Sequence, residues 1–282
     1  MEIKTLGVVG AGQMGNGIAQ VAAMSGKKVI LNDIQKDFIE KGMSNIRNML
    51  DKGVEKQKVS REEADAALDR IITSLDLKNM AGADFIIEAA IEDEAVKFKI
   101  FKQLDDICNP AVILATNTSS IPIGRIGSQT GRPEKVIGMH FMNPVPIMKL
   151  VEVIRSLATS DQTFKATWEL AEKFGKTPAE AGDYPGFISN RVLMPMINEA
   201  VYALYHGAGP KESIDKVMKL GMNHPMGPLE LADFVGLDTC LAVMNTLYEG
   251  FKDSKYRPCP LLRKYVEAGW LGRKTGKGFY EY

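Results

Sequence analysis

The sequence predicts an α/β chain in two parts: a domain built on a mostly parallel sheet over residues 1–184 and a smaller all-α domain over residues 185–282. Three observations lead there. Near the N-terminus a short apolar strand pattern runs straight into a glycine-rich turn and an apolar helix, the usual entry to a parallel sheet. Short β-type runs then alternate with helical patterns over the first two-thirds of the chain. After Asp183-Tyr184-Pro185-Gly186-Phe187 the strand pattern stops, and helices joined by Gly/Pro turns take over.

The first strand, residues 5–10, enters Gly10-Ala11-Gly12-Gln13-Met14-Gly15 and a helix reaching about residue 25. Each glycine answers a separate need. Gly10 makes the tight turn, Gly12 lets a diphosphate approach the backbone, and Gly15 lets helix and strand pack closely. The helix N-terminus offers its unpaired N–H groups to the phosphates. The second strand, residues 28–32, ends at Asp33, 18 residues beyond Gly15. A carboxylate there accepts the adenosine ribose hydroxyls and repels a 2′-phosphate, which favours NAD over NADP.

Residues 35 to about 67 read as a helical arm of two helices, broken between Gly53 and Ser60, with Lys52, Lys56 and Lys58 crowding its tip. By charge pattern alone such a tip is a solvated surface. Strands are expected at 71–75, 84–89, 112–116, 135–141, 148–154 and 177–181, with helices at 93–108 and 161–174. Ligand groups of open α/β sheets gather at the carboxyl ends of strands. Gly10, Asp33, Glu92, Asn117, Ser119 and His140 all fall at such ends. Beyond the boundary, helices are expected at 187–206, 211–220, 229–249 and 261–267; His206, beside a helix end, and His224, before a proline, read as structural.

Composition removes several function classes. A formal net charge of zero gives no global pull toward nucleic acid or an acidic membrane surface. No apolar run approaches membrane-spanning length. Cys108, Cys240 and Cys259 have neither metal-type spacing nor a disulfide framework, which suits buried thiols of a reducing compartment. No metal cluster stands out. The opening MEIKTLGVVGAG enters a strand at once and leaves no room for a targeting peptide, so a cytoplasmic protein is expected.

The stretch GMHFMNPVPIMKLVEV, residues 138–153, holds His140, one of three histidines, and Glu152 inside an apolar run. Asn143-Pro144-Val145-Pro146 reads as a turn between two strands. An antiparallel pair would bring His140 beside Glu152. A carboxylate on one ring nitrogen fixes the tautomer and leaves the other to move a proton. Local sequence alone favours the plainer reading, a buried histidine and a partly exposed strand glutamate.

Taken together, GAGQMGNGIAQ, EAAIEDEAVK, ATNTSS, GMHFMNPVPIMKLVEV, DYPGFISNR, NHPMGPLELADFVGLD and GWLGRKTGKGFYEY resemble the short-chain L-3-hydroxyacyl-CoA dehydrogenase family, closest to its bacterial 3-hydroxybutyryl-CoA dehydrogenase branch. The resemblance runs from Gly10 to the C-terminus. It implies a Rossmann-type NAD-binding domain followed by a helical domain that forms a homodimer. It implies hydride exchange between (S)-3-hydroxybutyryl-CoA and NAD, giving acetoacetyl-CoA, with His140 as acid–base and Glu152 as its partner. Ser119 and Asn190 match residues that hold the 3-oxygen of the substrate. Asn143 matches a residue close to the nicotinamide; Glu92, Lys97, Asn117 and Lys274 match further cofactor contacts. Lys52 and Lys56 resemble basic residues that meet the coenzyme A phosphates. The rival readings are a dehydrogenase of free hydroxy acids, a non-catalytic NAD-binding protein on the same fold, and a protein-interaction module.

Overall fold

The computed structural model describes residues 2–282, which divide into two compact units, the first ending at residue 183 and the second covering 184–282. The first unit is built on one eight-stranded sheet of order β3-β2-β1-β4-β5-β6-β7-β8. Its strands are β1 (Thr5–Val9), β2 (Lys28–Asn32), β3 (Ile71–Ser74), β4 (Phe85–Glu88), β5 (Ile113–Thr116), β6 (Val136–Phe141), β7 (Leu150–Arg155) and β8 (Thr177–Gly182). The central strands β4, β5 and β6 are buried at every residue, as parallel strands covered on both faces must be. β1 through β6 pair in parallel, β7 runs antiparallel to β6, and β8 is parallel to β7.

The helices of this unit are α1 (Gln13–Met24), α2 (Lys36–Glu55), α3 (Arg61–Asp69), α4 (Glu94–Ile107), the short α5 (Ile123–Gly127) and α6 (Asp161–Lys173). α1 is lined with small residues, and its Ile18, Ala19, Ala22 and Ala23 are fully buried with Leu6, Val8 and Val29 of the sheet. α2 buries Ile39, Gly42, Ile46 and Leu50, a stripe at helical spacing, and shares its core with α1 and α3. Ser60 and Glu63 form a reciprocal capping box that starts α3.

The arm breaks within the expected stretch, between Glu55 and Arg61. α2 continues through Gly53 and ends at Glu55; Gln57 takes a left-handed φ of 55°. Gln57 N–H donates to the Val54 carbonyl and Lys58 N–H to the Gly53 carbonyl, both at 2.9 Å. These bonds close the helix as a Schellman motif with glutamine in the position glycine usually takes. Gly53 instead makes room for Val59, 3.4 Å from where its Cβ would lie.

The second unit contains α7 (Ser189–Tyr205), α8 (Lys211–Gly221), α9 (Pro228–Val235), α10 (Leu237–Phe251) and α11 (Pro260–Glu267), around a core of Met194, Ile197, Val201, Leu229, Leu237 and Leu247. The single helix expected at 229–249 is two helices. Gly236, at φ 101°, ends α9 and begins α10, a conformation closed to helical continuation. α5 and the 3-10 turns were also not expected; each is too short to show a hydrophobic period. No helix among the described residues is long and apolar enough to cross a membrane.

Two glycines of the first turn have opposite surroundings. A Cβ on Gly15 would lie 1.8 Å from the Gly10 carbonyl oxygen, which is backbone and cannot rotate aside, whereas a Cβ on Gly12 meets nothing within 4 Å. Gly15→Ala is therefore expected to destabilise the ligand-free protein by about 1–3 kcal/mol or more. Gly12→Ala should cost less than about 1 kcal/mol, the loss of a modest N-cap. Thermal unfolding of the two variants measures the difference; equal melting would contradict it.

Candidate active site

The carboxyl edge of the sheet gathers the polar residues. Gly10, at φ 102°, turns β1 into α1, and a Cβ there would sit 2.5 Å from the Ala89 carbonyl oxygen. α1 begins at Gly12 with no side-chain cap and no acid in its first turn, so its leading N–H groups remain available to an anion. The open space beside Gly12 is where a diphosphate would approach. Asp33 is fixed on this loop: Ala11 N–H donates to its Oδ2 and Ile34 N–H to its Oδ1, both at 2.7 Å. Each carboxylate oxygen keeps a lone pair for a hydroxyl. The residues present therefore fit a dinucleotide.

Beside this loop lies a charged cluster. Glu88, at the end of β4, is wholly buried and accepts from Lys97 Nζ, Thr116 Oγ1 and Ala90 N–H, each at 2.7 Å. Lys97, 1% exposed, also lies 3.5 Å from Glu92 Oε2. Glu92 Oε1 in turn gathers the Thr118 hydroxyl at 2.6 Å, the Ser119 and Ser120 amides at 2.9 Å, and the Ser120 hydroxyl at 2.7 Å. The Ser119 hydroxyl makes only a long 3.3 Å bond to the same oxygen. Burial pushes the Glu92 carboxyl up, but the Lys97 ammonium and the donors of Thr118, Ser120 and Ser119 outweigh it and hold it below the usual carboxylate range. Lys97 thus acts on the loop that follows β5 through two carboxylates.

β6 and β7 pair His140 directly opposite Glu152. His140 Nδ1 and Glu152 Oε2 are 2.8 Å apart, with His140 8% and Glu152 2% exposed. The carboxylate accepts, so Nδ1 carries the proton and the lone pair of the neutral ring lies on Nε2. Two ties bring this pair to the loops already described. Asn117 Oδ1 accepts from Phe141 N–H at 2.9 Å, and Asn143 Oδ1 accepts from Gln13 Nε2 at 3.2 Å. The structure thus brings Asp33, Glu92, Lys97, Asn117, Ser119, His140, Asn143 and Glu152 to one edge of one sheet.

Lys52 and Lys56 lie elsewhere in the first unit. They line a cavity of about 720 Å³ together with Lys58, Lys149, Lys173 and Lys176, and no carboxylate lines it. Leu50, Val59 and Phe174 add apolar wall. The arm tip is therefore one side of a concave cationic site. Asn190 and Lys274 belong to the second unit. Asn190 is half-buried in the first turn of α7, and Lys274 Nζ is 2.6 Å from both oxygens of Asp238. His206 packs against Tyr202 and Tyr205 with its ring tilted to both. The three cysteines are free and buried; burial pushes the Cys108 thiol up to about 11 and the Cys240 thiol up to about 12, which leaves them unreactive.

Glu88 and Lys176 were missed by the sequence reading. Glu88 carries the same signal as Glu152, an acid inside an apolar strand, but its partners Lys97 and Thr116 come from other elements. Lys176 shows no signal, because lysines near a helix end are common.

Residues 5–184 match the model of the 3-hydroxyacyl-CoA dehydrogenase NAD-binding domain, and residues 186–282 that of the 3-hydroxyacyl-CoA dehydrogenase C-terminal domain. The chain is 58% identical to a probable 3-hydroxybutyryl-CoA dehydrogenase of Bacillus subtilis, covering 100% of this chain and 98% of that one. It is 57% identical to a 3-hydroxybutyryl-CoA dehydrogenase of Bradyrhizobium diazoefficiens, over 99% and 96% of the two chains. The crystal structure of an (S)-3-hydroxybutyryl-CoA dehydrogenase from Ralstonia eutropha superposes with a TM-score of 0.98 at 49% identity, covering 100% of this chain and 99% of that one.

The depressed Glu92 carboxyl has a consequence for acid stability. Its contribution is fully present above the unfolded value, about 4.3, and is lost as pH falls through the lower folded value. Glu92→Gln should flatten the acid side of the Tm–pH curve of the ligand-free protein between about pH 3 and 5. An unchanged acid slope would show that the cluster does not hold the loop through this charge.

Proposed function

Because the chain belongs to the 3-hydroxyacyl-CoA dehydrogenase family, we propose that His140 and Glu152 carry the proton transfer in its NAD-dependent interconversion of (S)-3-hydroxybutyryl-CoA and acetoacetyl-CoA. The observation that carries this reading is the 2.8 Å bond between the two buried side chains, at the edge that also bears the glycine loop.

In the oxidative direction His140 Nε2 removes the proton of the 3-hydroxyl. NAD+, held by the Gly10–Gly15 loop and Asp33, would supply the acceptor for the hydride that leaves C3 as the C–O bond becomes a carbonyl. Glu152 holds the Nδ1–H bond throughout and stabilises the imidazolium that forms. In reduction the imidazolium returns its Nε2 proton to the 3-oxygen as C3 regains a hydride. Ser119, whose hydroxyl is only weakly held by Glu92, orients that oxygen, and Asn190 is assigned to it by the resemblance. Asp33 accepts the adenosine ribose hydroxyls, Gly12 admits the diphosphate, and Glu92, Lys97, Asn117, Asn143 and Lys274 serve the nicotinamide half directly or through the loops they hold. Lys52 and Lys56 hold the coenzyme A phosphates; the support is the cavity of six lysines and no carboxylate. The protein acts as a homodimer in the cytoplasm.

His140→Gln keeps a polar side chain but removes the proton carrier. It is expected to lower kcat by about 10²–10⁴ while NADH binding and Tm stay close to the parent. Near-normal turnover of the folded variant would overturn the assignment. Parallel assays on free 3-hydroxybutyrate, where no activity is expected, separate this reading from a free-acid dehydrogenase.

The lysine assignment is tested apart from the chemistry. Lys52→Ala with Lys56→Ala should raise KM for acetoacetyl-CoA at least about tenfold, the effect of losing two charge-assisted contacts. KM for NADH should be unchanged, as should KM for a truncated thioester, acetoacetyl-N-acetylcysteamine. Equal effects on both thioesters would assign these lysines to the fold.

A further inference from the structure

Lys176 is a buried lysine that the chemistry above does not use. It follows α6 and the turn at Gly175, and is 8% exposed. Its Nζ donates to the carbonyl oxygens of Val145, at 2.5 Å, and Met148, at 2.8 Å. Among the described residues no carboxylate forms an ion pair with it. Lysine is seldom buried without a counter-ion, because its ammonium loses hydration. Here burial lowers its pKa. What offsets that cost is two charge-assisted bonds and the negative end of α6.

Both acceptors lie in residues 142–149, which join His140's strand to Glu152's. Outside the ladder this segment has few other holders. Ile147 and Met148 N–H both return to the Pro144 carbonyl at 3.0 Å, and Lys149's carbonyl accepts from Thr177 N–H at 2.8 Å. Val145 is seated against Gly17 of α1, where a Cβ would come within 2.8 Å. The backbone of residues 145–148 thus meets one external cation. Asn143, at the head of the segment, leads directly out of β6 two residues after His140's neighbour Phe141.

We propose that Lys176 is a positioning residue of the reaction, its ammonium fixing the segment between His140 and Glu152 through the Val145 and Met148 carbonyls. The inference rests on the reading of His140 and Glu152 as the acid–base pair. Lys176 does not touch the reacting atoms; it sets the path on which Asn143 and the paired strands depend. Displacing a catalytic group by about 1 Å can cost on the order of a hundredfold in rate.

The test uses Lys176→Met, of similar length but uncharged, and Lys176→Arg, which retains a cation and donors. Because Lys176 also lines the lysine-rich cavity, turnover is read with acetoacetyl-N-acetylcysteamine as well as acetoacetyl-CoA. The expected result is a kcat loss of about 10- to 100-fold for Lys176→Met, alike with both thioesters, with KM for NADH little changed and most of the loss recovered in Lys176→Arg. Parental kcat in a folded Lys176→Met protein would overturn the proposal. So would a loss confined to KM for acetoacetyl-CoA, which would make Lys176 an anion contact only. If Lys176→Met does not fold, Lys176→Leu, which also lacks any donor, takes its place, and parental kcat there is equally decisive. His140→Gln run beside them keeps the two readings apart. Full turnover in His140→Gln sinks the acid–base assignment, whereas full turnover in the Lys176 variants alone sinks only the positioning role.

Discussion

The antiparallel pairing of β6 with β7 is the constraint on which the site depends. A parallel neighbour would leave by its carboxyl end and return only after a crossover, and the two strands could not place a histidine and a glutamate twelve residues apart side by side. The reversal at residues 142–149 does so within one loop. Side chains alternate across a strand, so a slip of one residue would send Glu152 to the opposite face. The 2.8 Å His140–Glu152 bond and the strand register therefore hold each other in place.

Buried or half-buried charge recurs around that pairing with a consistent role. Glu88 binds Lys97, Thr116 and the Ala90 amide; Lys176 binds two loop carbonyls; Asp183 accepts the Ile123 and Gly124 amides at the head of α5. Each of these groups ties a loop at or near the sheet edge to a rigid strand or helix. Isolated burial would be costly for any of them, and each is surrounded by donors or acceptors that satisfy it. Loops of an α/β sheet lack a ladder of their own, so their precision has to come from such side chains. The apolar core of Leu6, Val8, Ile87, Ala115 and Ile137 supplies the rigid platform to which they are tied.

Much of the fold was legible because it rests on local physics. Buried parallel strands read as continuous apolar runs, and GAGQMG reads as a turn that needs glycine at Gly10 and a close approach that needs glycine at Gly15. Where local signals were mixed the reading slipped. Gly53, at the start of the expected break, stays inside α2 and packs against Val59, while Gln57 makes the turn. Gly236 resembled a tolerated helix glycine but breaks α9 from α10. A glycine's role depends on what approaches it, and that neighbour is distant in sequence.

The sequence alone determined the strand–turn–helix entry, the succession of strand ends where polar residues collect, and the candidacy of His140 and Glu152, because strand periodicity and turn chemistry are written in neighbouring residues. Tertiary structure alone decided that Glu92 is the hub of the loop after β5, that Glu88 and Lys97 form a buried pair, and that six lysines from the arm, the β6–β7 loop and the α6–β8 turn converge on one cavity. It also decided that Lys176 points inward to two carbonyls and not out to water. Those outcomes depend on which segments the sheet order brings together, and charged side chains carry no period from which their partners can be read.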